Sequence, residues 1–238
     1  MIDLKNLVSL PTYTTTIPST GEELSFRPFV VKEEKILLIA LESKDTKQIL
    51  NAIKTVMESC YYGKVDIDKM PYYDAEYLFI QLRMKSMGEV VEIVVRDPNT
   101  KERFETEMKL ENIKILNNNQ NKDKFNIRLN DNLGVIMKYP SLREFTQLTD
   151  EKMSKTEIIF NFLAASIDKI YTKEKILDIK DMKNDEIKSF IENLPKDMFK
   201  KLSAFFDSMP VVVYEDEYTT PTGNKIPISV RDFTNFFA

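Results

Sequence analysis

Residues 72–110 read YYDAEYLFIQLRMKSMGEVVEIVVRDPNTKERFETEMKL, and this stretch decides the fold class. Residues 72–87 predict an amphipathic helix, because their apolar side chains recur at intervals of three and four. Gly88 is expected to end the helix, since glycine readily adopts the left-handed conformation of a C-cap. Residues 90–95 and 103–110 then predict two antiparallel strands joined by a tight turn. A helix followed directly by a β-ribbon indicates an α+β fold.

Helix and strand patterns also alternate before this stretch. Residues 12–17 and 23–30 are rich in β-branched and aromatic residues on either side of a turn, which predicts a β-hairpin. Residues 31–43 predict a helix that is apolar almost all round after its charged first turn, so we expect it to be buried. Residues 46–60 give the clearest amphipathic pattern, with Cys60 as a core residue at its end.

The chain becomes mostly helical after residue 140. Apolar positions predict one helix over residues 158–170, further helices over residues 184–209 and a second ribbon over residues 211–229. We therefore predict two subdomains, an N-terminal α+β domain over residues 1–140 and a mainly helical domain with a short ribbon over residues 141–238. Each contains a helix-then-ribbon unit, which duplication and convergent packing explain about equally well.

Composition argues against several functions. The chain of 238 residues has 34 Lys and Arg against 38 Asp and Glu, a net charge of −4, so nucleic acid is not expected as a partner. It contains no His, which removes Ser–His–Asp and Cys–His catalysis as well as imidazole metal sites. Its single Cys cannot form an internal disulfide. We predict no catalytic residues, no cofactor and no metal.

Targeting and membrane signals are also missing from the sequence pattern. The N-terminal residues do not form a charged segment followed by an apolar one, so no signal peptide is expected. The longest apolar run, residues 36–41, is far too short to span a bilayer. We therefore expect a protein of the reducing cytoplasm with no stable membrane insertion.

Acidic clusters at residues 33–34, 66–68, 74–76 and 215–217 leave one enzymatic alternative. A glycan hydrolase needs two carboxyl groups facing each other across a cleft, one with a raised pKa. Nothing in the spacing of these clusters indicates such a pair. Solvated negative charge is their ordinary interpretation.

Aromatic residues are the candidates for partner binding. At the end of the first hairpin the candidates are one aromatic residue, Phe29, and one cation, Arg27. Five tyrosines cluster in the middle of the sequence, and three phenylalanines end the chain: Tyr61, Tyr62, Tyr72, Tyr73, Tyr77, Phe233, Phe236 and Phe237. Such side chains anchor protein interfaces. Packing within their own domain explains both groups at least as well.

Two long segments resemble a known family. Residues 13–43, YTTTIPSTGEELSFRPFVVKEEKILLIALES, and residues 74–89, DAEYLFIQLRMKSMGE, resemble the signature segments of the baseplate hub assembly family of T-even-type myophages. Residues 192–217 are similar to the family's end region in their helix-then-ribbon layout. The residues that match the signature patterns are Arg27, Pro28, Phe29, Lys32, Glu33, Glu34, Asp74, Tyr77, Arg83, Lys85, Gly88 and Glu89. They serve either the fold or a partner surface.

The resemblance implies a non-enzymatic protein that assists assembly of the central hub of a contractile phage tail baseplate. Its partners would be other baseplate hub and hub-assembly proteins in the host cell cytoplasm; whether it forms an oligomer is left open. The alternatives are a permanent hub component of the virion tail and, with much less support, a carboxylate-dependent tail-associated hydrolase. Some relatives carry Cys pairs in the ribbon turns, whereas the turns at residues 96–99 and 220–223 have none, so we predict no zinc.

Overall fold

A computed structural model describes residues 9–63, 65–118, 125–148 and 153–231. Within them, helices and short antiparallel strands alternate in small groups, which confirms the predicted α+β class. The helices are α1 Val31–Ser43, α2 Thr46–Cys60, α3 Tyr72–Met87, α4 Leu142–Leu148, α5 Lys155–Ser166, α6 Asn184–Glu192 and α7 Lys196–Asp207. The strands are β1 Tyr13–Thr16, β2 Glu23–Phe26, β3 Val90–Arg96, β4 Arg103–Lys109, β5 Lys114–Leu116, β6 Asn126–Arg128, β7 Leu133–Met137, β8 Ile167–Thr172, β9 Ile176–Asp178, β10 Val211–Thr219 and β11 Lys225–Arg231.

Contacts divide these elements between two units. The first contains β1 to β5, α1, α2, α3 from Tyr73 on, β10 and β11. The second contains the segment Asp68–Tyr72, β6 to β9 and α4 to α7. These limits differ from the division between residues 140 and 141 that the sequence predicts. The chain returns to the first unit because β10 pairs with β5, Val211 lying opposite Leu116.

Helix α2 of the first unit follows the sequence pattern closely. Asp45 caps α2 by accepting hydrogen bonds from the backbone N–H groups of Lys47 and Gln48, at 2.9 and 3.1 Å. The predicted apolar face of α2 is buried throughout and comprises Ile49, Leu50, Ile53, Val56, Met57 and Cys60. The glycine that follows α3, Gly88, has φ +107°, a conformation that favours glycine and ends the helix as predicted.

Two ribbons complete the first unit, and both are confirmed. β3 pairs with β4 in the register that runs from Val90 opposite Lys109 to Arg96 opposite Arg103. The Asp97 carboxylate closes their turn by accepting the backbone N–H groups of residues 99 and 100. The second ribbon, β10 with β11, is longer than predicted and forms a three-stranded sheet with β5.

The second unit is built on a four-stranded antiparallel sheet in the order β6-β7-β8-β9. Its core contains residues from the sheet and from α5, α6 and α7: Leu129, Val135, Met137, Leu163, Ala164, Ile167, Ile170, Ile187, Ile191, Leu202 and Phe205. The sequence pattern does not predict this sheet. Its strands have only three to six residues, too few for a clear alternation of apolar and polar side chains.

The predicted single helix over residues 158–170 is wrong at its C-terminal end. α5 ends at Ser166, and β8 begins at the next residue, Ile167. The register between β7 and β8 shifts so that Asp168 is an extra residue, a β-bulge. Ile167 and Ile170 are therefore both buried although they lie three positions apart. Buried residues three positions apart are also typical of one face of a helix, which explains why the helix was predicted to extend to residue 170.

Gly134 on β7 gives a test of the packing of this sheet. A Cβ at this position would lie 2.1 Å from Cζ of Tyr171, whose hydroxyl donates a 2.7 Å hydrogen bond to Asn126. Gly134→Ala should therefore displace the ring, break this hydrogen bond and destabilise the protein by about 0.5–1.5 kcal/mol. Urea unfolding measures this, and Tyr171→Ala in the same background should recover part of the loss. If the two substitutions changed the free energy of unfolding by strictly additive amounts, residues 134 and 171 would not be in contact.

Candidate interaction surface

Arg27 and Glu33 form a buried ion pair where β2, α1 and α2 meet. One oxygen of the Glu33 carboxylate accepts a hydrogen bond from Nη2 of Arg27 at 2.8 Å, and the other accepts one from the backbone N–H of Val30 at 3.0 Å. Arg27 also donates to the backbone carbonyl of Ser59 at the end of α2, at 3.0 Å. Burial raises the pKa of Glu33, but the hydrogen bonds from Arg27, Val30 and Lys32 outweigh it and lower the pKa to about 2.

Hydrogen bonds also join the two segments that carry the family resemblance. The backbone N–H of Phe29 donates to the hydroxyl of Ser86 at 2.9 Å, and that of Ser19 donates to Oδ1 of Asp74 at 3.0 Å. Asp74 is fully buried, and burial raises its pKa to about 6 although the Ser19 bonds oppose the shift. The matching residues Arg27, Glu33 and Asp74 therefore make their hydrogen bonds inside the fold.

Three of the residues predicted to bind partners are buried. Phe29, Tyr61 and Tyr73 are only 5–7% exposed. The hydroxyl of Tyr61 donates to the backbone carbonyl of Leu78 at 2.7 Å, so its polar end is also satisfied inside the first unit. In the folded chain these three side chains belong to the core and offer almost no surface to a partner.

The other predicted residues differ in exposure. Tyr62 is 46% exposed, whereas Arg27, Tyr72 and Tyr77 are half-buried. The ring of Tyr72 stacks on Phe145, with 3.6 Å between the ring centroids. The terminal phenylalanines, Phe233, Phe236 and Phe237, lie outside the described residues. Among the predicted aromatic residues that the structure describes, Tyr62 is thus the most exposed.

Helix α1 presents an apolar face to solvent, and the prediction that this helix is buried is wrong. Its buried side consists of Glu33, Leu37 and Ala40. On the other side Val31, Leu38 and Ile39 are 78%, 52% and 57% exposed. Exposed neighbouring side chains of this size often mark an interaction site.

The exposed residues form what we call the outer stripe of α1: Val31, Lys35, Leu38, Ile39 and Glu42. Their spacing of three and four residues places them on one side of the helix. Lys35 and Glu42 are exposed, and neither has an ion-pair partner in the part of the chain that the structure describes. The sequence contained a signal for this surface. A helix that is apolar all round either is enclosed or exposes apolar residues to solvent, and α1 is the second case.

Of the acidic clusters, residues 215–217 lie on the second ribbon, whereas Glu33, Asp68, Asp74 and Glu76 of the other clusters are buried. The hydroxyl of Tyr214 donates to Asp216 at 2.7 Å, and Glu217 pairs with Lys225 at 2.6 Å. Among residues 9–63, 65–118, 125–148 and 153–231, no group of three or more Cys, Asp or Glu side chains is arranged to hold a metal ion. None of the helices in these ranges is long and apolar enough to cross a membrane.

The fold and this surface define a class, an α+β protein of two units with an exposed apolar helix. The chain belongs to the family described as T4 bacteriophage base plate protein, whose sequence model matches residues 10–238. This match covers nearly the whole chain and confirms that the protein is a T4-type baseplate protein. No curated protein and no solved structure gives a significant match.

Replacing Glu33 by Gln tests the role of the buried ion pair. The substitution leaves the Arg27 guanidinium without its carboxylate, so the free energy of unfolding at pH 7 should fall by about 2–4 kcal/mol. Glu34→Gln is the matched control, since the neighbouring side chain is only half-buried and should change stability by less than about 0.5 kcal/mol. Equal effects of the two substitutions in urea unfolding would show that the pair does not hold the fold.

Replacing Asp74 by Asn tests the buried carboxyl group. Because its folded-state pKa lies above the ordinary value of 3.8, the stability that this group contributes is lost as pH rises from 3.8 to about 6. Asn keeps an oxygen for Ser19 without the charge, so at pH 7 Asp74→Asn should stabilise the protein by about 1–2 kcal/mol. The gain should disappear below pH 4.

The control for this experiment is Asp97→Asn. Backbone hydrogen bonds from Asn99 and Thr100 lower the pKa of Asp97, so its contribution to stability is present at neutral pH and is lost in acid. Asp97→Asn should therefore destabilise the protein at pH 7. If Asp74→Asn also destabilised it at pH 7, our description of Asp74 as a buried, unfavourable charge would fail.

Proposed function

We propose that this baseplate protein acts without catalysis, as an assembly protein that binds other hub proteins while the central hub is being built. The observation that carries the proposal is the family match over residues 10–238. The composition supports it, since a chain without His and with one buried Cys lacks the common nucleophile–base pairs. Its work is then recognition of other proteins in the host cytoplasm, before the tail is complete.

Tyr62 is the proposed anchor for a hub protein. It lies two residues after the end of α2, and its backbone N–H donates to the carbonyl of Ser25 at 2.9 Å, which fixes the main chain that carries the ring. A large aromatic side chain on a rigid backbone loses little conformational entropy on binding. Half-buried Arg27, Tyr72 and Tyr77 are proposed as weaker contacts through their exposed edges. The terminal phenylalanines stay a prediction.

A permanent place in the virion baseplate is the second candidate, and the same family match favours it. A permanent component would keep its hub contacts in the finished tail, whereas an assembly protein would release them. Asp74 has a raised pKa but is fully buried, where a glycan cannot reach it, so it does not support the hydrolase alternative.

Copurification from infected cells tests the proposal. A tagged wild-type protein should retain other hub or hub-assembly proteins, and Tyr62→Ala should lower their recovery about tenfold, a loss equivalent to ~1.4 kcal/mol of binding free energy. Ile176→Ala is the control, because Ile176 is 67% exposed and lies in the second unit. Recovery of the tagged chain without any other tail protein would overturn the assembly role. Unchanged recovery with Tyr62→Ala would overturn the anchor alone.

A further inference from the structure

We propose that the outer stripe of α1 is a self-association surface, on which α1 of a second copy packs in antiparallel orientation. Three of the five stripe residues are apolar and more than half exposed, and water contact with such side chains is unfavourable. Any partner that covers this surface removes its apolar side chains from water, and the free energy falls. The arrangement of its two charged residues, Lys35 and Glu42, indicates which partner fits.

The charges of the stripe are complementary to a second copy of themselves. The midpoint between positions 35 and 42 falls between Leu38 and Ile39. A two-fold axis through this midpoint brings Lys35 beside Glu42 of the partner subunit, and Glu42 beside the partner's Lys35. Leu38 then lies beside Ile39 of the partner subunit, and Ile39 beside the partner's Leu38. Such reciprocity is what a two-fold symmetric interface requires.

A parallel arrangement does not have this complementarity. With the two helices in register, Lys35 would face the partner's Lys35, and Glu42 the partner's Glu42. Like charges in contact are unfavourable, so the charges select the antiparallel orientation. A partner surface of one charge sign would also be opposed by either Lys35 or Glu42. A second copy therefore fits the stripe better than a uniformly charged partner does.

The size of the stripe sets the expected strength of the dimer. A helix of 13 residues is about 20 Å long. One face of it offers roughly half or less of the ~800 Å² that each partner buries in a standard interface. We therefore expect a reversible dimer that forms as concentration rises. Since this contact does not use Tyr62, it stands or falls separately from the proposed binding of hub proteins.

Sedimentation of the purified chain over a range of concentrations tests the proposal with exchanged charges. The wild type should pass from monomer to dimer. Lys35→Glu should weaken the dimer at least about tenfold, because it removes two ion pairs and places like charges in contact. The double variant Lys35→Glu/Glu42→Lys restores both pairs with reversed sign and should return the dissociation constant to within about threefold of the wild type.

Lys200→Glu is the control for a change of charge alone, because Lys200 is an exposed lysine of α7 in the second unit. It should leave the dimer unchanged. Circular dichroism and urea unfolding should show that each variant is folded. A wild type that stays monomeric at every concentration would overturn the proposal, and so would a double variant that is as weak as Lys35→Glu.

Discussion

The carboxylate of Glu33 is the constraint on which the first unit depends. It accepts hydrogen bonds from Arg27 and from the backbone of Val30, and Arg27 in turn reaches the carbonyl of Ser59. The backbone N–H of Arg27 also donates to the carbonyl of Cys60, at 3.0 Å. A buried ion pair is expensive to desolvate and is stable only when its hydrogen bonds are satisfied, as they are here.

This network also determines which side of α1 faces solvent. Since Glu33 lies inward at the first turn, helical spacing places Leu37 and Ala40 inward as well. The opposite side of the helix, with Leu38 and Ile39, must then face outward, although it is equally apolar. The exposed stripe is thus a direct consequence of where the ion pair is buried.

Signature positions and proposed contact residues therefore overlap little: of the proposed contacts, only half-buried Arg27 and Tyr77 match the signature patterns. Arg27, Glu33 and Asp74 match the signature patterns, and each makes hydrogen bonds inside the first unit. The residues available to partners, Tyr62 and the outer stripe of α1, are not among the positions that decided the resemblance. The signature positions in this chain therefore indicate how the protein folds. Residues that can contact a partner are identified by the solvent exposure of their side chains.

Much of the fold could be predicted from the sequence, and the errors have physical reasons. α2 and the β3–β4 ribbon were predicted correctly, because each has one buried face and a clear period. The end of α5 was missed because the bulge at Asp168 gives a strand the spacing of a helix. Pairing of β10 with β5 joins distant parts of the chain, which local patterns do not reveal.

The candidate surface was harder to predict than the fold. Apolar composition does not distinguish an enclosed helix from one that exposes more than half of its residues, as α1 does. Of the tyrosines, Tyr61 and Tyr62 are adjacent and identical in type, yet the first is buried and the second exposed. That difference is set by the strand β2 against which Tyr61 packs, with 5.1 Å between its ring centroid and that of Phe26.

Quantitative mass spectrometry of purified virions and of lysate late in infection tests the central claim most directly. For an assembly protein we expect abundance in the lysate together with hub intermediates, and absence from finished virions. A fixed ratio to a known tail protein in purified virions would contradict that role and would show a permanent component of the baseplate.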